Sequence, residues 1–187
     1  AQENGWFDNN SLTEPGKPWT HLIGYVLGGL LEIYRLGNLN IDYEKIISLL
    51  HNAAKGIIEF YFKRNEQLSD KQLLILPGTF DTNWFSKDRW SCITGNAQLE
   101  FFFRRLHGYV ADPVLTEAAD LLLINTKKLH LMDEIDDPNL YGGLCGSYPI
   151  AGEYCGYAIP DWGVKFFTDC LLQRISAKED RPLPYIG

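Results

Sequence analysis

The hexapeptide Gly78-Thr79-Phe80-Asp81-Thr82-Asn83 matches an earlier one, Gly5-Trp6-Phe7-Asp8-Asn9-Asn10. Both read G-x-F-D-x-N, and they stand 73 residues apart (78 − 5). Internal self-similarity is the mark of a repeat architecture, and the segment after each copy also repeats in kind. After the first come a polar, Pro-containing stretch, Thr20-His21 and an apolar run. After the second come Trp84, Trp90, Thr94-Gly95-Asn96 and another apolar run. Thr20 and Thr94 are of the residue types that cap helix N-termini.

The run Leu22 to Gly37 is apolar on nearly every face, as a helix buried on most sides must be. Gly24 and Gly28 fall on one face of it. Glycine weakens a helix, so that face predicts close approach to a neighbouring helix or to a ligand. Asp42 to Phe62 is different. Ile46, Leu49, Leu50, Ala53 and Ile57 form one stripe, and Lys45, Ser48, Asn52, Lys55 and Glu59 lie opposite. That is a one-sided amphipathic helix with an acidic start. The second unit repeats the sequence of types. Asn96 to His107 is the apolar inner helix, and Asp112-Pro113 starts an amphipathic one running to about Leu131. A third unit opens with GGLCGSYPIAGEYCGYAIPDWGVK, residues 142–165, and continues as a helix from Asp161 to about Ile175.

The chain therefore reads as loop, inner helix, outer helix, in hairpin units near 4–65, 78–131 and 141–176, with 177–187 as a tail. Inner helices are expected near 20–37, 95–107 and 161–175, and less buried outer helices near 42–63 and 113–131. Such hairpins bury their inner faces on one another. The fold class is all-α, with repeated helical hairpins forming part of an α/α toroid. The long loops before each inner helix favour the toroid over an open solenoid.

Composition limits the partners. A net charge of −7 argues against a nucleic-acid surface, which needs clustered Lys and Arg. No apolar run approaches the length of a membrane span. The opening AQENGW has no Met, which reads as removal of a leader or as a start within a longer protein. Of the four cysteines, Cys92 and Cys170 sit in apolar surroundings and read as buried hydrophobes. Cys145 and Cys155 share one loop, where they are able to pair in an oxidising compartment.

Three segments carry a resemblance. PWTHLIGYVLGGLLE (Pro18 to Glu32), CITGNAQ (Cys92 to Gln98) and GGLCGSYPI (Gly142 to Ile150) look like inner-helix and loop motifs of bacterial α/α-toroid proteins. They resemble uncharacterised bacterial members of the six-hairpin, glycosidase-like superfamily. The resemblance implies a C-terminal half-toroid, so a missing N-terminal half or self-association is expected. It also implies carbohydrate chemistry, since that superfamily hosts glycoside hydrolases, polysaccharide lyases and sugar epimerases.

In a toroid, the loops ahead of the inner helices gather into a mouth. All five tryptophans fall in those loops. Trp6, Trp90, Tyr148, Tyr154 and Trp162 offer flat faces with polar edges, which suit sugar rings; the alternative is that they plug the end of the ring. Glu153, Asp161, Asp81 and His21 are the candidates for proton transfer or nucleophilic attack at a glycosidic bond. Glu153 has no evident structural task. Asp8 and Asp81 can equally close Asx-turns, and Asp161 can cap a helix. Asp8, Asn96, Gln98 and Lys165 complete the expected ligand-binding set, with Asn96 and Gln98 also suited to bracing loops. No cofactor is called for. The runner-up readings are a non-catalytic glycan-binding or scaffold module in polysaccharide production, and a zinc-dependent cyclase using Cys92, Cys145 or Cys155, and His21.

Overall fold

Two of the predicted helix starts form as the residue types dictate. Asp42 accepts the backbone N–H of Lys45 at 2.9 Å and opens α2, Tyr43–Asn65. Asp112 accepts from Val114, and Pro113 is the first residue of α4, Pro113–Lys127. The threonines behave differently. Thr20 is the first residue of α1, Thr20–Leu36, and Thr94 lies inside α3, Ile93–Val110, so neither is the residue that caps its helix. Thr20 instead ties its helix to the second loop, its N–H donating to the Gly78 carbonyl at 2.8 Å and its hydroxyl to the Pro77 carbonyl at 2.6 Å. A cap offers one local hydrogen bond; these two bonds join segments far apart in sequence.

The computed structural model describes residues 1–12, 14–37, 39–66, 73–132 and 136–179. Among these, five helices make up the fold, and sheet is confined to a two-stranded pair. The all-α class therefore holds. The fifth helix, α5, spans Asp161–Glu179 and includes the first residues of the expected tail; the remainder of that tail, 180–187, lies outside the described residues. The strand pair joins β1, Ser91–Cys92, to β2, Ser147–Tyr148, antiparallel, with Cys92 opposite Ser147. It fastens the third loop to the start of α3.

Helix α3 is the centre, packing against α1, α4 and α5 and touching α2. The three inner helices run parallel. A Cβ on Gly95 near the start of α3 would lie 2.8 Å from the His21 backbone nitrogen at the start of α1. A Cβ on Gly163 near the start of α5 would lie 2.9 Å from Thr94 Oγ1. At the other end, Arg105 of α3 pairs with Glu32 of α1. Helices α2 and α4 form a second layer, linked to each other by His51 Nε2 and Asp112 Oδ2 at 2.8 Å. The larger core lies between the layers and includes Leu27, Leu50, Ile57, Phe103, Leu106 and Leu122. A smaller one, with Ile75, Leu144, Phe167 and Cys170, joins α5 to α3 and the loops.

The expected burial order holds only for α3, where eleven of eighteen residues are buried. In α4 seven of fifteen are buried, against six of seventeen in α1. The reason is position. Helix α4 backs onto the centre of the fold, whereas α1 has packed neighbours on some sides only and faces an open groove on another.

A polar network crosses the layers. Arg104 Nη2 donates to Glu100 Oε1 at 2.7 Å and to Asp120 Oδ1 at 2.9 Å, and Arg174 of α5 reaches the same Asp120 oxygen at 3.1 Å. Burial pushes the Glu100 carboxyl above its usual range, although the charge of Arg104 opposes the shift. Removing one partner of a buried pair leaves an uncompensated charge. Arg104→Met should cost about 3 kcal/mol at pH 7 by chemical denaturation. The penalty should shrink as pH falls, because a Glu100 carboxyl displaced upward takes a proton more readily than an ordinary one. By contrast, neutralising the exposed Lys63–Glu59 pair should leave stability nearly unchanged, because solvent screens it.

Candidate functional site

The loops converge where the inner helices begin. Asn96 is fully buried there and brings three segments together. Its Oδ1 accepts the N–H of Leu76 at 2.8 Å, while its Nδ2 donates to Ser91 Oγ and to the Cys92 carbonyl, both at 2.8 Å. Ser147 does the same within the third loop, donating to the Tyr154 carbonyl at 2.6 Å and accepting from the Tyr154 N–H. Asn96 is thus a brace with no surface to offer a ligand, which corrects its expected role in binding.

Above this brace sits an aromatic cluster. The Tyr154 ring, nearly buried, packs 5.0 Å from His21 and 5.4 Å from Trp19, and its hydroxyl accepts from Trp162 Nε1 at 2.6 Å. His21 stacks edge-on against Tyr25, which reaches Phe166 of α5 at 5.6 Å. His21 Nδ1 lies 2.9 Å from Gln98 Oε1. That oxygen only accepts, so Nδ1 carries the proton. Burial lowers the His21 pKa and the bond to Gln98 only partly offsets it, which keeps the ring neutral at pH 7.

Below the Tyr25–Phe166 bridge a groove of about 410 Å³ opens between α1 and α5, with α3 as its floor. Gln98, Phe101, Phe102 and Arg105 line it from α3, one helical face at i, i+3, i+4 and i+7. Trp162, Lys165, Phe166 and Asp169 line it from α5 with the same spacing. From α1 come Gly24, Tyr25, Gly28, Gly29, Leu31 and Glu32. Tyr25 and Trp162 remain 50% and 43% exposed, so their faces are accessible. Every charged group of the lining has a partner. Glu32 binds Arg35 at 2.7 Å and also Arg105; Lys165 Nζ lies 2.7 Å from Asp169 Oδ2. Desolvation pushes the Glu32 carboxyl up, but its two arginines outweigh that and hold it below its usual range.

Of the residues anticipated from sequence, Gln98, Trp162 and Lys165 line this groove, with His21 and Tyr154 at its head. The rest lie elsewhere. Trp6 is 1% exposed and meets Trp84 edge-on at 5.1 Å, so it fills the core instead of offering a face. Trp90 occupies the space a Cβ on Gly78 would need, and its carbonyl accepts the Gly78 N–H. Asp81 accepts the N–H groups of Asn83 and Phe85 at 2.9 and 3.0 Å, the turn role its sequence allowed. Asp8 is exposed and accepts from Gln2. Asp161 begins α5 and accepts the N–H of Trp162 at 2.7 Å. Glu153 is exposed and outside the groove lining. Tyr148 lines a separate concavity of about 360 Å³ with Cys145 and Ile150. Tyr25, Glu32, Phe101, Arg105, Phe166 and Asp169 were not anticipated. Their signal was the shared i, i+3, i+4, i+7 face, which in a single helix reads as ordinary core.

Cys92 and Cys170 are buried as expected, and burial pushes the Cys92 thiol up to about 12. Cys145 and Cys155 are both free thiols in this structure. No group of three or more His, Cys, Asp or Glu residues able to hold a metal occurs among the described residues, so the zinc reading has no ligand set there. No helix of the described residues is long and apolar enough to cross a membrane.

The ring resonances of His21, assigned by their loss in His21→Gln, should titrate below 6.5. Because its folded pKa is lowered, His21 stabilises the fold above pH 6.5, and that contribution is lost as pH falls through the lowered value. Stability should therefore drop less steeply between pH 7 and 5 in His21→Gln than in the parent. No protein-family model, curated protein or solved structure matches this chain.

Proposed function

We propose that this chain is part of an α/α-toroid-type protein whose groove between α1, α3 and α5 binds carbohydrate without turning it over. The parallel inner helices with their loops gathered at one end support the toroid. In a ring the groove would face the central cavity, and a second copy or an N-terminal half would meet its open flank.

The observation that carries the binding reading is the groove wall. Tyr25, Trp162, Phe101 and Phe166 line one concavity whose edges carry Gln98 and two ion pairs. Aromatic faces beside fixed polar groups match a ring with C–H faces and hydroxyl edges. The reading against turnover comes from the carboxylates. Glycoside hydrolysis requires a carboxyl group able to give up a proton and a second carboxylate across the bond. Glu32 is held ionised by two arginines, and Asp169 is engaged with Lys165. Glu153, Asp161, Asp81 and Asp8 are not among the groove residues.

Calorimetric titration with a panel of oligosaccharides should find a ligand whose affinity drops roughly tenfold in Trp162→Ala, about 1.4 kcal/mol. Glu153→Gln should bind as the parent does. No new reducing ends should appear on prolonged incubation. Release of reducing ends that stops in Glu153→Gln would restore the catalytic reading; undiminished binding in Trp162→Ala would move the site away from the groove.

A further inference from the structure

We infer that the groove selects an uncharged polyhydroxylated ring over its acidic counterpart, with Gly28 holding the space that the ring occupies. This rests on the carbohydrate reading above and adds the charge class of the ligand.

The first support is that the charges of the groove are satisfied internally. Of its charged lining residues, Arg105 is taken by Glu32 and lies over the Phe101 ring, and Lys165 is taken by Asp169 and lies over the Phe166 ring. An acidic ligand would meet cations already balanced by Glu32 and Asp169, and would either bring its own charge beside those carboxylates or displace one of them. Asp169 is only 5% exposed, so losing Lys165 would strand a charge with little access to water. A neutral hydroxyl makes no such demand. It donates to a carboxylate oxygen and accepts from an ammonium or guanidinium N–H while both pairs stay intact.

The second support is independent. Gly24 is pressed by its own fold, since a Cβ there would lie 2.8 Å from Gln98 Cβ. Four residues on, a Cβ at Gly28 would meet nothing within 4 Å, and the same is true of Gly29. Two successive glycines within a helix lower its stability, yet here they relieve no contact within the protein. Their effect is to widen the groove beside Tyr25.

The test is a calorimetric titration of the purified protein with neutral hexasaccharides of glucose, mannose and galactose, and with the same compounds oxidised at C6 to uronates. A neutral compound should bind at least tenfold tighter than its oxidised form. Gly28→Leu should lower that affinity at least tenfold. Gly28→Ala, read by calorimetric melting, should raise Tm by about 2–4 °C, since alanine is the better helix former and has room. Equal or tighter binding of the oxidised form would overturn the inference and leave the carbohydrate reading standing. Binding of neither form would overturn both. A Gly28→Leu protein that melts normally and binds as the parent does would remove Gly28 from the site.

Discussion

The close contact between the starts of the three inner helices is the constraint on which the rest of the structure depends. Helices approach to backbone distance there because Gly95 and Gly163 carry no side chain where His21, Thr20 and Thr94 already stand. A larger residue at either position would push helix ends apart. Packing of this kind tolerates little change in volume. Because the approach occurs at one end, all three preceding loops must end there as well. Their backbone groups then need partners away from water. Asn96, Thr20 and Ser147 supply these: Asn96 and Thr20 join segments distant in sequence, and Ser147 closes the third loop on itself. The polar residues at that end are therefore mostly consumed by holding loops together.

The groove arises from the same contact. Helices α1 and α5 both meet α3 closely at their starts, and Tyr25 touches Phe166 across the gap. Further along, α1 replaces side chains with Gly28 and Gly29, which leaves the gap toward α5 open. The space between is floored by α3, whose Phe101 and Phe102 belong to both groove and core. Any ligand there would rest on the best-packed helix of the fold. A site on rigid elements loses little entropy in ordering itself around a ligand.

Much of this was legible in the sequence. The repeat G-x-F-D-x-N falls in the loops ahead of α1 and α3, and hydrophobic periodicity places the helices, although the expected difference in burial between inner and outer helices appears only in α3. Asp42 and Asp112-Pro113 set helix starts through bonds to residues two or three positions away, which is why they can be read locally. The face shared by Gly24 and Gly28 pointed to close approach by a helix or a ligand. The two glycines part company in the fold: Gln98 crowds Gly24, and Gly28 faces open space.

What the sequence by itself determined is the helical content and the helix starts at Asp42 and Asp112. Those depend on periodicity and on partners nearby in the chain. Which aromatics face solvent was decided only by tertiary structure. Trp6 and Trp162 both read as loop tryptophans in the sequence, yet one is sealed beside Trp84 and the other stands in the first turn of α5, lining the groove. Nor does local sequence show that the Lys165–Asp169 pair faces a groove. Burial and pairing are properties of what the other segments place nearby, and those segments come from across the whole chain.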